Sequence, residues 1–164
     1  MENNLIDTAI ELISFLIANT SWGKKTSCEE MLKLLYEECR ELELSLNSAD
    51  FSSIVEEASD VNMMLAYFFC KLPESNLHDI KSLFKDVANN KNYVSRSNRE
   101  LYRDLLINYS RLTDLFEGTY KVSALNKCAE TIILCTFSLV NNNSRLSNNT
   151  PSIDMIFSAV IEKL

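Results

Sequence analysis

Two glycines and two prolines are all that this chain of 164 residues has to interrupt a helix with. Those two residue types are the strongest local breakers of regular structure. They stand far apart, at Gly23, Pro73, Gly118 and Pro151. Between them apolar residues recur at helical spacing, as in Leu5, Ala9, Leu12, Ile13, Leu16 and Ile17. No stretch shows the alternation of a strand. The pattern predicts an all-α fold, an antiparallel helical bundle of long helices and short joints.

Local signals divide the chain. Residues 4–19 read as a helix and 19–26 as a loop holding Trp22 and Gly23. Ser27-x-x-Glu30 is a capping box that opens a helix to about Leu46. Residues 47–50 make a short joint, with Asp50 or Ser52 as N-cap of a helix that stops at Pro73. A fourth helix spans 76–88, and residues 89–97 are polar and basic. Ser97-x-x-Glu100 opens a helix closed by Gly118, and another runs over 123–140. Residues 141–149 read as a mobile Asn/Ser-rich loop, after which Thr150 and Pro151 start the last helix.

Two of these helices carry carboxylates in unusual places. On a helical wheel Met31, Leu32, Leu34, Leu35, Cys39, Leu42 and Leu46 share one apolar arc. Glu38 falls inside it and Glu41 at its edge, one turn from Glu37. On the next helix Ile54, Ala58, Val61, Leu65, Phe68, Phe69 and Leu72 form the apolar stripe. Glu57 borders that stripe and Asp60 lies further out on the same side. A short joint makes the two helices antiparallel neighbours, so their acidic edges face each other. A buried carboxylate costs several kcal/mol unless compensated. A hard divalent cation such as Mg²⁺ is one compensation. A solvated acidic face is the other reading; it explains Glu29 and Glu56 well, and Glu38 and Glu57 poorly.

Glu37-Glu38-x-x-Glu41, followed after a gap by Glu57-x-x-Asp60, resembles the EExxE…ExxD signature of MazG-like nucleoside triphosphate pyrophosphohydrolases. LLYEECRELELSL and IVEEASDVNMMLAY look like the two motif helices, and SWGKKTSCEEML like the tryptophan-containing segment before them. The resemblance covers residues 5–97. It implies Mg²⁺-dependent hydrolysis of a nucleoside triphosphate to the monophosphate and pyrophosphate, with Mn²⁺ as a substitute ion. By that resemblance Glu38, Glu41, Glu57 and Asp60 hold the metal. Glu37 either orients the attacking water or is a solvated helix residue. Trp22 and Lys25 would line the nucleotide pocket or, for the tryptophan, pack in the core. Asn62 would contact a base or sit packed and hydrogen-bonded. Lys91 and Arg96 would reach the phosphates, although their spacing departs from the family's and a solvated basic loop is the other reading. Related families on this scaffold act on dUTP, dCTP or a phosphoribosyl nucleotide, which leaves the substrate open.

The expected organisation is a catalytic bundle over 1–97 and a helical C-terminal part over 98–164. Sliding the chain by about seventy residues sets Leu34, Leu35, Arg40 and Ala58 against Leu105, Leu106, Arg111 and Ala129. Glu38, Glu41, Glu57 and Asp60 meet Tyr109, Leu112, Cys128 and Thr131, so a second copy would lack the metal carboxylates. The match is either a degenerate repeat or the coincidence any two amphipathic hairpins produce. A homodimer or an intramolecular pseudo-dimer follows from the family resemblance.

The net charge of −7 argues against nucleic acid or an anionic membrane as partner. Five cysteines without a CxxC pair read as reduced, buried thiols, and the N-terminal residues lack a basic signal region, so a cytoplasmic protein is expected. His78, the only histidine, lies outside both motifs, which leaves no histidine-activated nucleophile. There is no glycine-rich phosphate loop, so nucleotide chemistry would run through metal and carboxylates. A binding or regulatory module that has lost turnover is the alternative from a different class.

Overall fold

The computed structural model of the chain describes residues 2–90, 96–144 and 152–164, the side chains of residues 2 and 3 excepted. All regular structure among them is helical, in the order α1 (Glu2–Asn19), α2 (Ser21–Lys25), α3 (Cys28–Ser48), α4 (Phe51–Lys71), α5 (Leu77–Asn89), α6 (Asn98–Glu117), α7 (Val122–Asn143) and α8 (Ser152–Lys163). Lys91 and the Thr150–Pro151 start of the last helix lie outside the described residues.

The two serine caps form as the sequence predicts. The Ser27 hydroxyl accepts from the Glu30 backbone N–H at 3.1 Å, and Ser97 does the same for Glu100 at 3.2 Å. Residues 19–26, read as a loop, instead hold the short helix α2. Thr20 makes that possible by accepting from Gly23 N–H at 2.9 Å while donating to Leu16 O at 2.7 Å. At the other end Lys71 donates to the carbonyls of Gly23 and Lys24. Gly23 is required by space, since a Cβ there would stand 2.6 Å from the Ile17 backbone. The tail of α7 runs to Asn143, into the segment read as a loop.

Turn chemistry differs from the expectation in a second place. Gly118 ends α6 at φ −97°, without the left-handed conformation that makes glycine useful there. The one positive φ among described non-glycine residues belongs to Ala49, at 56°, in the α3–α4 joint. Asp50 precedes α4, but its side chain caps no backbone N–H; it accepts from the Ser53 hydroxyl.

α4 is the hub. It packs against α3, α7, α8 and α1. Every residue of its predicted stripe is buried, and so are Ser59, Asn62, Met64, Ala66 and Tyr67. Each large apolar side chain so placed contributes about 1.5–3 kcal/mol. α7 is apolar and long enough to cross a bilayer by length and composition alone. Here it serves as a core helix, packed on α6, α4, α5 and α8.

The short helix α2 apart, the order of helices before α8 runs twice among the described residues. α3 and α4 form one tight hairpin, α6 and α7 another. From Cys28 to Asn98 is 70 residues and from Phe51 to Val122 is 71, so the hairpins begin at matching offsets. Matching helices touch: α1 with α5, α3 with α6, α4 with α7. The Tyr102 and Tyr109 hydroxyls of α6 donate to the Cys39 and Leu32 carbonyls of α3 at 2.8 and 2.7 Å. Asn62 on α4 donates to Thr136 on α7 at 2.9 Å. Lys81–Glu11 and Lys85–Asp7 ion pairs link α5 to α1. One apolar core runs through all of this, from Ile6 to Val160.

Candidate functional site

The α3–α4 hairpin brings three carboxylates to one point. Glu38, Glu41 and Glu57 each place an oxygen within 4.8 Å of the others. Glu38 and Glu41 follow from their three-residue spacing on α3, and Glu57 meets them because the two-residue joint sets α4 antiparallel. Glu38 and Glu57 are half-buried and Glu41 is exposed, so the cluster has one open side. The Oε2 atoms of Glu38 and Glu57 are buried without a hydrogen-bond partner.

That environment favours protons. Burial pushes the Glu57 carboxyl up to about 8, helped by the hydrogen bond that protonated Glu57 donates to the Glu41 carboxylate and by the charges of Asp60, Glu41 and Glu38. Burial likewise raises Glu38 to about 7, with Asp60 and Glu41 adding to the rise and the Lys163 ammonium opposing it. Three crowded oxygens, two of them with unpartnered neighbours, are a donor set of the kind hard divalent cations take.

Asp60 stands apart. Its charge acts on Glu38 and Glu57, but its Oδ1 accepts from the Lys163 ammonium of α8 at 2.5 Å. The same ammonium donates to the Glu56 carbonyl at 3.2 Å and lies 3.9 Å from the Glu56 carboxylate. Glu37 is exposed, one residue from the cluster and outside the group of three.

The other sequence candidates are dispersed. Trp22 is 42% exposed, its ring edge-on to Tyr67 at a centroid distance of 5.1 Å. Tyr67 lies seven residues beyond Asp60, about two turns or ~10 Å along the same side of α4. Lys25, at the end of α2, is exposed. Asn62 is 1% exposed and its amide donates to Ala58 O and Thr136 Oγ1, which places it in the α4–α7 contact. Arg96 pairs with Glu100 and Asp104 of α6.

Lys163 is the site neighbour that sequence reasoning missed. It lies 103 residues from Asp60, and no spacing rule joins two such positions. A groove of about 660 Å³ between α4 and α8 was equally invisible. Phe51, Val55, Met155 and Ala159 line it, with Glu56 and Lys163 at the edge nearest the carboxylates.

No protein-family model, curated protein or solved structure matches this chain.

Proposed function

We propose that this chain is a MazG-like nucleoside triphosphate pyrophosphohydrolase that depends on a divalent cation, Mg²⁺ or its substitute Mn²⁺. The observation that carries the reading is the meeting of Glu38, Glu41 and Glu57, at the positions the motif names, with two buried oxygens that have no partner. These three would hold the ion, and Asp60 would join them on leaving Lys163. When bound, the ion supplies charge neutralisation for the phosphates and a more acidic water. The chain's own residues do the rest. Glu37, exposed beside the cluster, orients the attacking water. The groove between α4 and α8 lies within the usual size of a small-ligand site and offers apolar walls to a base. The paired hairpins take the role a second subunit plays in a dimer. Removal of unwanted nucleotides in the cytoplasm is the setting this reading implies.

The Asp60–Lys163 ion pair favours a second reading, a helical nucleotide-binding or regulatory module without turnover, because it occupies a carboxylate the chemistry would use. One assay separates them. Purified protein is incubated with a panel of nucleoside triphosphates and Mg²⁺, and pyrophosphate is measured. Turnover abolished by EDTA and by Glu38→Ala supports the hydrolase. Nucleotide binding without pyrophosphate release from any member of the panel supports the module and refutes the hydrolase.

A further inference from the structure

The last helical residue of α8 delivers a positive charge to the edge of the carboxylate cluster. The delivery is built in. α8 is anchored by Ile153, Ile156, Phe157 and Val160, all buried, against α4, α1 and α7. From that anchor the Lys163 ammonium reaches Asp60 Oδ1 at 2.5 Å and the Glu56 carbonyl at 3.2 Å. The Asp60 side chain is only 16% exposed and that of Lys163 27%, so the pair is partly withdrawn from water. The position at a helix C-terminus also suits a cation.

We infer that Lys163 is a tethered competitor for the divalent cation: Asp60 serves either the lysine ammonium or the metal ion, and α8 thereby sets the affinity of the cluster. This rests on the metal-binding part of the proposed function. The argument is one of charge and space. Asp60 lies close enough to Glu38 and Glu57 for its charge to act on both. An ion held by those two and Glu41 would sit beside an ammonium already on Asp60. Like charges at such range repel, and the repulsion is relieved only when Lys163 withdraws. Withdrawal gives up the Asp60 and Glu56 contacts, so that cost is subtracted from the binding of every metal ion. A purely structural salt bridge makes the opposite prediction: losing it loosens α8 and weakens or leaves unchanged the binding of metal.

The test is a titration of full-length protein with Mn²⁺ alone, free ion being read by its electron paramagnetic resonance signal. Lys163→Gln binds Mn²⁺ about two- to fivefold more tightly than the original chain, the factor expected for releasing a partly screened ion pair. Lys163→Arg, which keeps the charge, binds as the original does. Circular dichroism and thermal melting in EDTA verify the fold of each variant. Lys163→Met, which keeps the apolar stem, carries the test if the glutamine variant does not fold. Equal or weaker binding by the folded charge-removing variant overturns the competition and leaves the metal reading standing. Absence of Mn²⁺ uptake by original and variants alike overturns both. Uptake by the original chain that is lost in Glu57→Gln shows that the titration reads this cluster.

Discussion

Glu57→Gln should make the metal-free protein more stable at pH 8 and leave it little changed at pH 5. The ordinary glutamate value of 4.5 rises to about 8 at Glu57, first because of burial and then because of Glu41, Asp60 and Glu38. Below pH 4.5 both folded and unfolded chains hold the proton, and the site costs nothing. Between 4.5 and about 8 the unfolded chain releases a proton that the folded chain keeps, so stability falls as pH rises. Above 8 the whole penalty is in force. At 1.36 kcal/mol per pKa unit the rise corresponds to about 5 kcal/mol without screening. The side chain is only half-buried, and solvent screening reduces this to roughly 1–2 kcal/mol. Glutamine keeps the shape and cannot ionise, so it recovers that amount at pH 8. For a chain of this length the gain is about 3–6 °C in Tm. The assay is thermal melting in EDTA at pH 5, 6.5 and 8. A variant that melts no higher than the original at pH 8, or gains equally at pH 5, would refute the crowding argument. Mg²⁺ should stabilise the original chain at pH 8 by neutralising the same charges, and should do so much less for the variant.

Other perturbations test how the cluster is supported. Tyr102→Phe and Tyr109→Phe each remove a hydroxyl that donates to an α3 carbonyl, and each should cost about 1 kcal/mol in urea unfolding. A loss below a few tenths in both would mean that α6 is not held to α3 by these bonds. Gly23→Ala drives a Cβ to 2.6 Å from the Ile17 backbone, so α2 must move. Since Trp22 is the only tryptophan and leans on Tyr67, its fluorescence should report that movement, and an unchanged spectrum with unchanged Tm would contradict the close approach.

Helix existence was legible because scarcity of breakers and apolar spacing point the same way at every stretch. The α3 arc illustrates the limit. Met31, Leu32, Leu35, Cys39 and Leu42 are buried as the wheel requires, while Leu34 and Leu46 are half-buried. A wheel assumes one wet face, and α4 has almost none: packed on α1, α3, α5, α7 and α8, it buries Asn62 and Tyr67 outside its stripe. α2 was missed because its start depends on a threonine that bonds in both directions and its end on Lys71, 46 residues past Lys25 in the chain. The three converging carboxylates were readable because they need only helical spacing and a short hairpin. The Lys163 contact was not, because it depends on where a helix from the far end of the chain docks.

The two hairpins show why only one of them can hold charge. Seventy-one residues after Glu38, Glu41, Glu57 and Asp60 stand Tyr109, Leu112, Cys128 and Thr131. Leu112 and Cys128 are buried, so the matching place between α6 and α7 is filled with apolar packing instead of facing water. Tyr109 turns back onto α3, with its hydroxyl on Leu32 O and its ring 5.5 Å from that of Tyr36. The residue in Glu38's register thus grips the helix that carries Glu37, Glu38 and Glu41. Holding carboxylates half-buried costs stability, as the raised Glu38 and Glu57 values state. The partner hairpin offsets that cost by apolar burial, as at Leu112 and Cys128, and by the Tyr102 and Tyr109 hydrogen bonds to the α3 backbone. Replacing Leu112 by glutamate to restore the missing charge should therefore destabilise the whole fold, since its side chain is fully buried with no open side of the kind Glu41 has.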